Sequence, residues 1–290
     1  MSLLQPSVIA SIDDLELAAR QVVEGLRVGI NRSPFHGFGA EFQQYRPYRP
    51  GDDLKYLDWK LFGRTDRLYT RQFRETTNFA MMIVLDTSAS MLYPSGASKL
   101  RYAVLVAASL AYLAIEQGNA AGLLTQQDGE FVYLPARSGR MHLRALLAKL
   151  DALKGAGKWD GAKTIGRASE LLARRGLLFV LSDFYDDEAI VMRELRQVMQ
   201  RGHDVSMIQV LSAEERRWSF SGQLQLEDVE TGEQQAVNAA AAAQEYDAAM
   251  EAFLARCRNA AAESRLDYQL FTTDASPDRA LREYLLGRSL

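Results

Sequence analysis

Two apolar runs, "NFAMMIVLD" at 78–86 and "LLFVLSD" at 177–183, each end on an aspartate, and helical periodicities fill the chain around them. An unbroken apolar run of this length suits a strand buried on both faces, as in parallel sheets covered by helices. After the first run come the helix pattern "SKLRYAVLVAASLAYLAIEQG", closed by Gly118, and two strands in "AAGLLTQQDGEFVYLPA" joined around Asp128-Gly129. "GRMHLRALLAKLDAL" and "TIGRASELLARRG" read as helices, and the second run is followed by a helix in "DEAIVMRELRQVMQRG" and a strand in "DVSMIQVLS". This alternation predicts an α/β fold, a doubly wound and mostly parallel sheet flanked by helices, with its ligand site beyond the carboxyl ends of the strands.

The flanking segments add to that frame. "SIDDLELAARQVVEGLRVG" predicts an amphipathic helix capped by Ser11, with its apolar face at Leu15, Ala18, Ala19, Val22, Val23 and Leu26. Residues up to 77 mix Gly, Pro, aromatic and charged residues without long periodicity. The expected division is therefore 1–77, a helix and an irregular segment packed on the main domain, and 78–290, the main domain. Within the latter, 222–237 ("GQLQLEDVETGEQQAV") alternate around a turn and predict a β-hairpin insertion. A long alanine-rich helix from 238, a strand in "DYQLFTT" and a short helix in "PDRALREYLLG" complete the pattern.

Composition narrows the function classes. A net charge of -3 gives no electrostatic case for nucleic acid, and residues 41–75, with eight Lys or Arg against six Asp or Glu, form no basic stripe. The single cysteine, Cys257, excludes an internal disulfide and any cysteine-cluster metal site, and reads as a small residue on a helix. The acidic N-terminus is unlike a secretory signal, and the longest apolar stretch, Tyr102 to Ile115, is shorter than the roughly 18 residues a membrane span needs. The expectation is a cytoplasmic protein.

Three polar residues follow the first apolar run: Asp86-x-Ser88-x-Ser90. Such a triplet can ligate a metal, carry a nucleophile, or cap a turn into the next helix. In a parallel sheet Asp86 and Asp183 reach the same rim, and alternate hard oxygens there suit Mg²⁺ or Mn²⁺.

These residues resemble the metal-ion-dependent adhesion site of von Willebrand factor type A domains. The resemblance implies that Ser88 and Ser90 ligate the ion directly, that Thr164 in "DGAKTIGRA" is the loop threonine, and that Asp86 and Asp183 bind the ion directly or through water. It also implies that a partner protein's carboxylate completes the coordination, so that the site serves metal-mediated protein binding rather than catalysis. Lys163 and Asp160 depart from the small residues usual before the threonine. "YRPYRPGDDLKYLDWKLFGRTDRLYTRQFRETTN" resembles the signature of the prokaryotic domain-of-unknown-function family fifty-eight, whose members carry a type A fold. That resemblance implies an adaptor or co-chaperone for a MoxR-type AAA+ ATPase.

Other readings stay open. A phosphatase-like hydrolase of the haloacid dehalogenase type needs a second acid two residues after its nucleophilic Asp, where this chain has Ser88. A serine hydrolase needs a histidine, and His36, His142 and His203 show neither triad nor zinc-site spacing. A scaffold with a vestigial metal site is the third class. In "RPGDDLKYLDW", Asp52, Asp53, Asp58 and Trp59 with Arg46 and Arg49 form either a docking surface or an internal salt-bridged clasp. "YPSGASKLR" ends in a lysine but lacks the spacing of a phosphate-binding loop.

Overall fold

A computed structural model describes residues 14–27, 40–50, 52, 54–75, 79–96, 98–172, 175–185, 188–228 and 232–288. Chain order begins with α1 (Leu15–Arg27), then β1 (Ala40–Pro47), α2 (Trp59–Thr65) and β2 (Tyr69–Glu75). The six positions expected to form the apolar face of α1 are all buried, in one core with the central sheet. Ser11 lies outside the described residues, and Asp14 instead accepts the N–H groups of Glu16 and Leu17.

The segment expected to be irregular contains an antiparallel pair, β1 with β2. Two of its acids, Asp52 and Asp58, are spent internally. Asp58 caps α2 through the N–H of Leu61 and accepts from the Tyr45 hydroxyl, while Asp52 accepts from Arg46 and from the N–H of Arg49. These contacts tie the segment to itself; the clasp reading asked for bonds that pin it to the central sheet, and these four do not do that. Asp53 lies outside the described residues.

The central sheet is built from β3 (Ala80–Leu85), β4 (Ala120–Gln127), β5 (Glu130–Arg137), β6 (Leu177–Ser182), β7 (Asp204–Leu211) and β10 (Asp267–Thr272). Their spatial order is β10-β7-β6-β3-β4-β5, and every pair is parallel except β4 with β5. The chain runs from β3 outward to β4 and β5, then returns to place β6 on the other side of β3. This reversal makes the β3–β6 seam the topological switch point, where α/β sheets open a crevice.

Alternate side chains of each strand feed two cores, as the pleat requires. Met81, Ile83, Leu85, Phe179 and Leu181 pack under α1, α3 (Lys99–Glu116), α4 (Arg140–Asp151) and α9 (Pro277–Arg288). Met82, Val84, Leu178 and Val180 pack under α5 (Gly161–Leu171), α6 (Glu188–Gln200) and α8 (Ala239–Glu263). α3 is buried on almost every side, which accounts for its Ala- and Ser-rich apolar sequence. Its 18 residues do not make it a span: no helix among the described residues is long and apolar enough to cross a membrane.

After β7 come the short α7 (Ala213–Arg216) and the hairpin β8 (Gln223–Glu227) with β9 (Gln234–Asn238), the insertion expected at 222–237. Asn238 caps α8 by accepting the N–H of Ala241. Cys257 is buried on α8, and burial pushes its thiol up to about 12, which removes it from thiolate chemistry.

Candidate functional site

Asp86 and Asp183 leave adjacent strands at the carboxyl rim, in register through Leu85 and Leu181. The backbone N–H of Asp86 donates to the Leu181 carbonyl, which extends the β3–β6 ladder one step into the site. Asp86 then folds the triplet around itself. Its Oδ1 accepts the N–H of Ser88 at 2.7 Å and its Oδ2 accepts the Ser182 hydroxyl at 2.5 Å. The Ser88 and Ser90 hydroxyls are 2.9 Å apart, and Ser90 donates to Asp183 Oδ2 at 2.7 Å. Four of the five expected ligands therefore form one hydrogen-bonded unit, although 97 positions separate its ends.

The loop after Asp183 is also constrained. Phe184 sits at φ +60°, a left-handed conformation that costs a non-glycine residue about 1–2 kcal/mol. Its buried ring anchors the second core, its N–H donates to Ser182 Oγ, and the N–H of Tyr185 donates to Asp183 Oδ1. The turn thus aims both strand-ending groups, Ser182 and Asp183, at the rim.

Thr164 is placed differently from expectation. It lies in the first turn of α5 rather than in a loop, because Asp160 accepts the N–H of Lys163 and starts that helix one turn earlier. The buried Thr164 hydroxyl donates to the Asp160 carbonyl at 2.8 Å, and the bonds that knit the other four residues do not reach it. The loop leading to α5 is nevertheless tied to the triplet: Ala89 N–H donates to the Gly157 carbonyl, and Ala156 N–H to that of Thr87. Asp160 is thereby a helix cap. The Lys163 ammonium lies 5.6 Å from the Phe131 ring centroid.

Two charged residues that were not expected complete the rim. Lys99, fully buried at the start of α3, donates to Asp183 Oδ2 at 2.8 Å and to Glu215 Oε1 at 2.5 Å. Glu215 belongs to α7 and is held by a reciprocal capping box with Ser212. A lysine opening a largely apolar helix, thirteen residues after Asp86, was the signal available in the sequence; Glu215 and Ser182 gave none that spacing could isolate.

The oxygen set is chemically suited to a hard divalent cation: two serine hydroxyls and two carboxylates, with Asp86, Ser88 and Asp183 buried and Ser90 half-buried. Burial, followed by the nearby charge of Asp183, pushes the Asp86 carboxyl up to about 7. A cation beside it would relieve that penalty. Among the described residues no three His, Cys, Asp or Glu side chains gather as a metal-binding group, so hydroxyls must supply much of any coordination. The described histidines are engaged elsewhere: His142 Nε2 bonds to the Ala121 carbonyl and His203 Nδ1 accepts the N–H of Gly176. His36 lies outside the described residues.

Comparison with known proteins places the chain in a family. An uncharacterized protein of Mycobacterium bovis is 30% identical over 231 residues, covering 78% of this chain and 72% of that protein. The uncharacterized protein YeaD of Bacillus subtilis is 27% identical over 119 residues, 41% of this chain and 28% of that protein. Among solved structures, the conserved hypothetical protein BatB from Bacteroides thetaiotaomicron aligns with a TM-score of 0.48 and 16% identity, covering 72% of this chain and 98% of that one. The family model described as "Protein of unknown function DUF58" matches residues 44–255, and the chain belongs to that family.

Proposed function

We propose that the protein is a metal-ion-assisted protein-interaction module, acting in the cytoplasm as an adaptor or co-chaperone of a MoxR-type AAA+ ATPase. The observation that carries the metal half is the convergence of Asp86, Ser88, Ser90 and Asp183 at the switch point of the sheet. In this reading Ser88 and Ser90 hold Mg²⁺ or Mn²⁺ directly, and Asp86 and Asp183 hold it directly or through water. Thr164 would have to give up its bond to the Asp160 carbonyl to serve as a ligand. The bound ion supplies an electrophilic position for a carboxylate of the partner. The protein's own contribution is to fix the triplet, since Asp86 is held by Ser88 on one oxygen and Ser182 on the other. The partner half rests on the family resemblance.

Calorimetry with Mg²⁺ and Mn²⁺ tests the metal, with Asp86→Ala expected to abolish the heat of binding. Co-purification with the cognate ATPase, with and without EDTA, tests the partner. Capture that is indifferent to EDTA and to Ser88→Ala/Ser90→Ala would support a vestigial site instead. Metal-dependent turnover of chromogenic phosphate or ester substrates, lost in Asp86→Ala, would support the hydrolase alternative.

A further inference from the structure

Lys99 occupies a position that local physics disfavours twice. A cation at a helix N-terminus opposes the helix dipole, and a fully buried ammonium is tolerated only when paired and hydrogen-bonded. Three groups from two segments surround it. Asp183 approaches from the end of β6 at 2.8 Å, Glu215 from α7 at 2.5 Å, and the Tyr185 ring centroid lies 4.9 Å from the ammonium. Glu215 is itself immobilised: its Oε2 accepts the N–H of Ser212, its own N–H donates to Ser212 Oγ, and its carbonyl accepts the Tyr246 hydroxyl. The lysine is therefore built into the rim.

The contested atom is Asp183 Oδ2. It accepts from Ser90 at 2.7 Å and from Lys99 at 2.8 Å, so a serine expected to ligate an ion and a resident ammonium meet on one oxygen. A divalent ion held by Ser90 and Asp183 would share that oxygen with the ammonium, and the two cations would repel in a site with little water to screen them. Glu215 offers the ammonium a second anchor when Asp183 is drawn away.

We propose that Lys99 is a tethered counter-cation that competes with the divalent ion for Asp183 and retreats onto Glu215 when the ion binds. This rests on the metal-ligating reading of the rim. It makes the affinity for metal a property of a residue outside the ligand set. It also makes α7, through Glu215, the element that registers occupancy.

The test is calorimetric titration of the full chain with Mn²⁺, comparing the wild type with Lys99→Gln, Lys99→Arg and Glu215→Gln. Removing the ammonium in Lys99→Gln is expected to tighten Mn²⁺ binding by about tenfold or more, while Lys99→Arg, which keeps the charge, changes it far less. Mn²⁺ is also expected to restore the thermal midpoint that Lys99→Gln loses, by mass action on the folded state. Should Lys99→Gln fail to fold, Glu215→Gln carries the test with the opposite sign: the ammonium is left to Asp183 alone, and Mn²⁺ binding weakens by about threefold or more. Binding of Mn²⁺ that depends on Asp86 yet is equal in wild type, Lys99→Gln and Glu215→Gln overturns the competition and leaves the metal reading standing. Absence of Mn²⁺ binding in all of them overturns both.

Discussion

The Ser182 hydroxyl donates to Asp86 across the seam between β6 and β3, and the same Ser182 oxygen accepts the N–H of Phe184. One side chain thus fixes the first acid of the rim and the turn that presents the second. Replacing it with alanine leaves a buried carboxylate oxygen and a buried N–H without their partner, so Ser182→Ala is expected to lose about 2–4 kcal/mol of stability. Urea unfolding followed by circular dichroism measures this; a loss below about 0.5 kcal/mol would show that the seam does not depend on the bond.

Ser90 bridges Ser88 and Asp183, whereas Ser88 touches the unit through both its N–H and its hydroxyl. Ser90→Ala keeps the backbone of the turn and removes one hydroxyl, so the fold is expected to survive with stability lowered by about 1 kcal/mol. Mg²⁺ affinity is expected to fall by about tenfold or more. Calorimetry alongside thermal melting separates the two effects.

Gly122 lies where β4 and β5 approach closely at a register shift. A Cβ there would stand 2.7 Å from the backbone nitrogen of Ala136 and 2.8 Å from the carbonyl oxygen of Leu134. Neither neighbour is a flexible side chain, so Gly122→Ala is expected to destabilise the edge of the sheet by about 2 kcal/mol or more, seen as a lower urea midpoint.

His203 is buried at the amino end of β7, and burial, followed by the Arg201 charge, holds its imidazole below the usual histidine value. A depressed histidine contributes stability that is fully present above its unfolded value of about 6.5 and is lost as pH falls through the folded one. Between about pH 7.5 and 5.5 the wild type is expected to lose stability relative to His203→Asn, which keeps an acceptor for Gly176 N–H without a titrating group. Parallel curves of the two proteins would show that His203 protonates without cost.

Asp58 ends on two donors, the Leu61 N–H and the Tyr45 hydroxyl, and ties α2 to β1. Asp58→Ala removes a helix cap and a tertiary bond together, with an expected loss of about 1–2 kcal/mol. If metal affinity at the rim is unchanged in the same protein, the clasp is independent of the site. A matching loss of Mn²⁺ binding would instead couple the two.

The element pattern was legible because burial on two faces forces unbroken apolar runs, and one-sided burial forces helical spacing. β3, β6 and β7 and the face of α1 follow from that, and the hairpin β8–β9 from alternation around a turn. The start of α5 was misplaced because Asp160, a turn residue by composition, takes an N–H and nucleates the helix one turn before the apolar periodicity begins. Thr164 consequently spends its hydroxyl on its own helix.

By itself the sequence determined that two acids end two buried strands and that an oxygen-bearing triplet follows the first, because strand patterning and residue chemistry are local. Only the tertiary structure decided that β3 and β6 are neighbours, which brings Asp183 to Ser90 and Ser182 to Asp86. Only it brought Glu215 from α7 to face Lys99 across the rim. The physical reason is that strand order and the pairing of buried charges depend on which long-range contacts share the low-dielectric interior, and no periodicity along the chain encodes them.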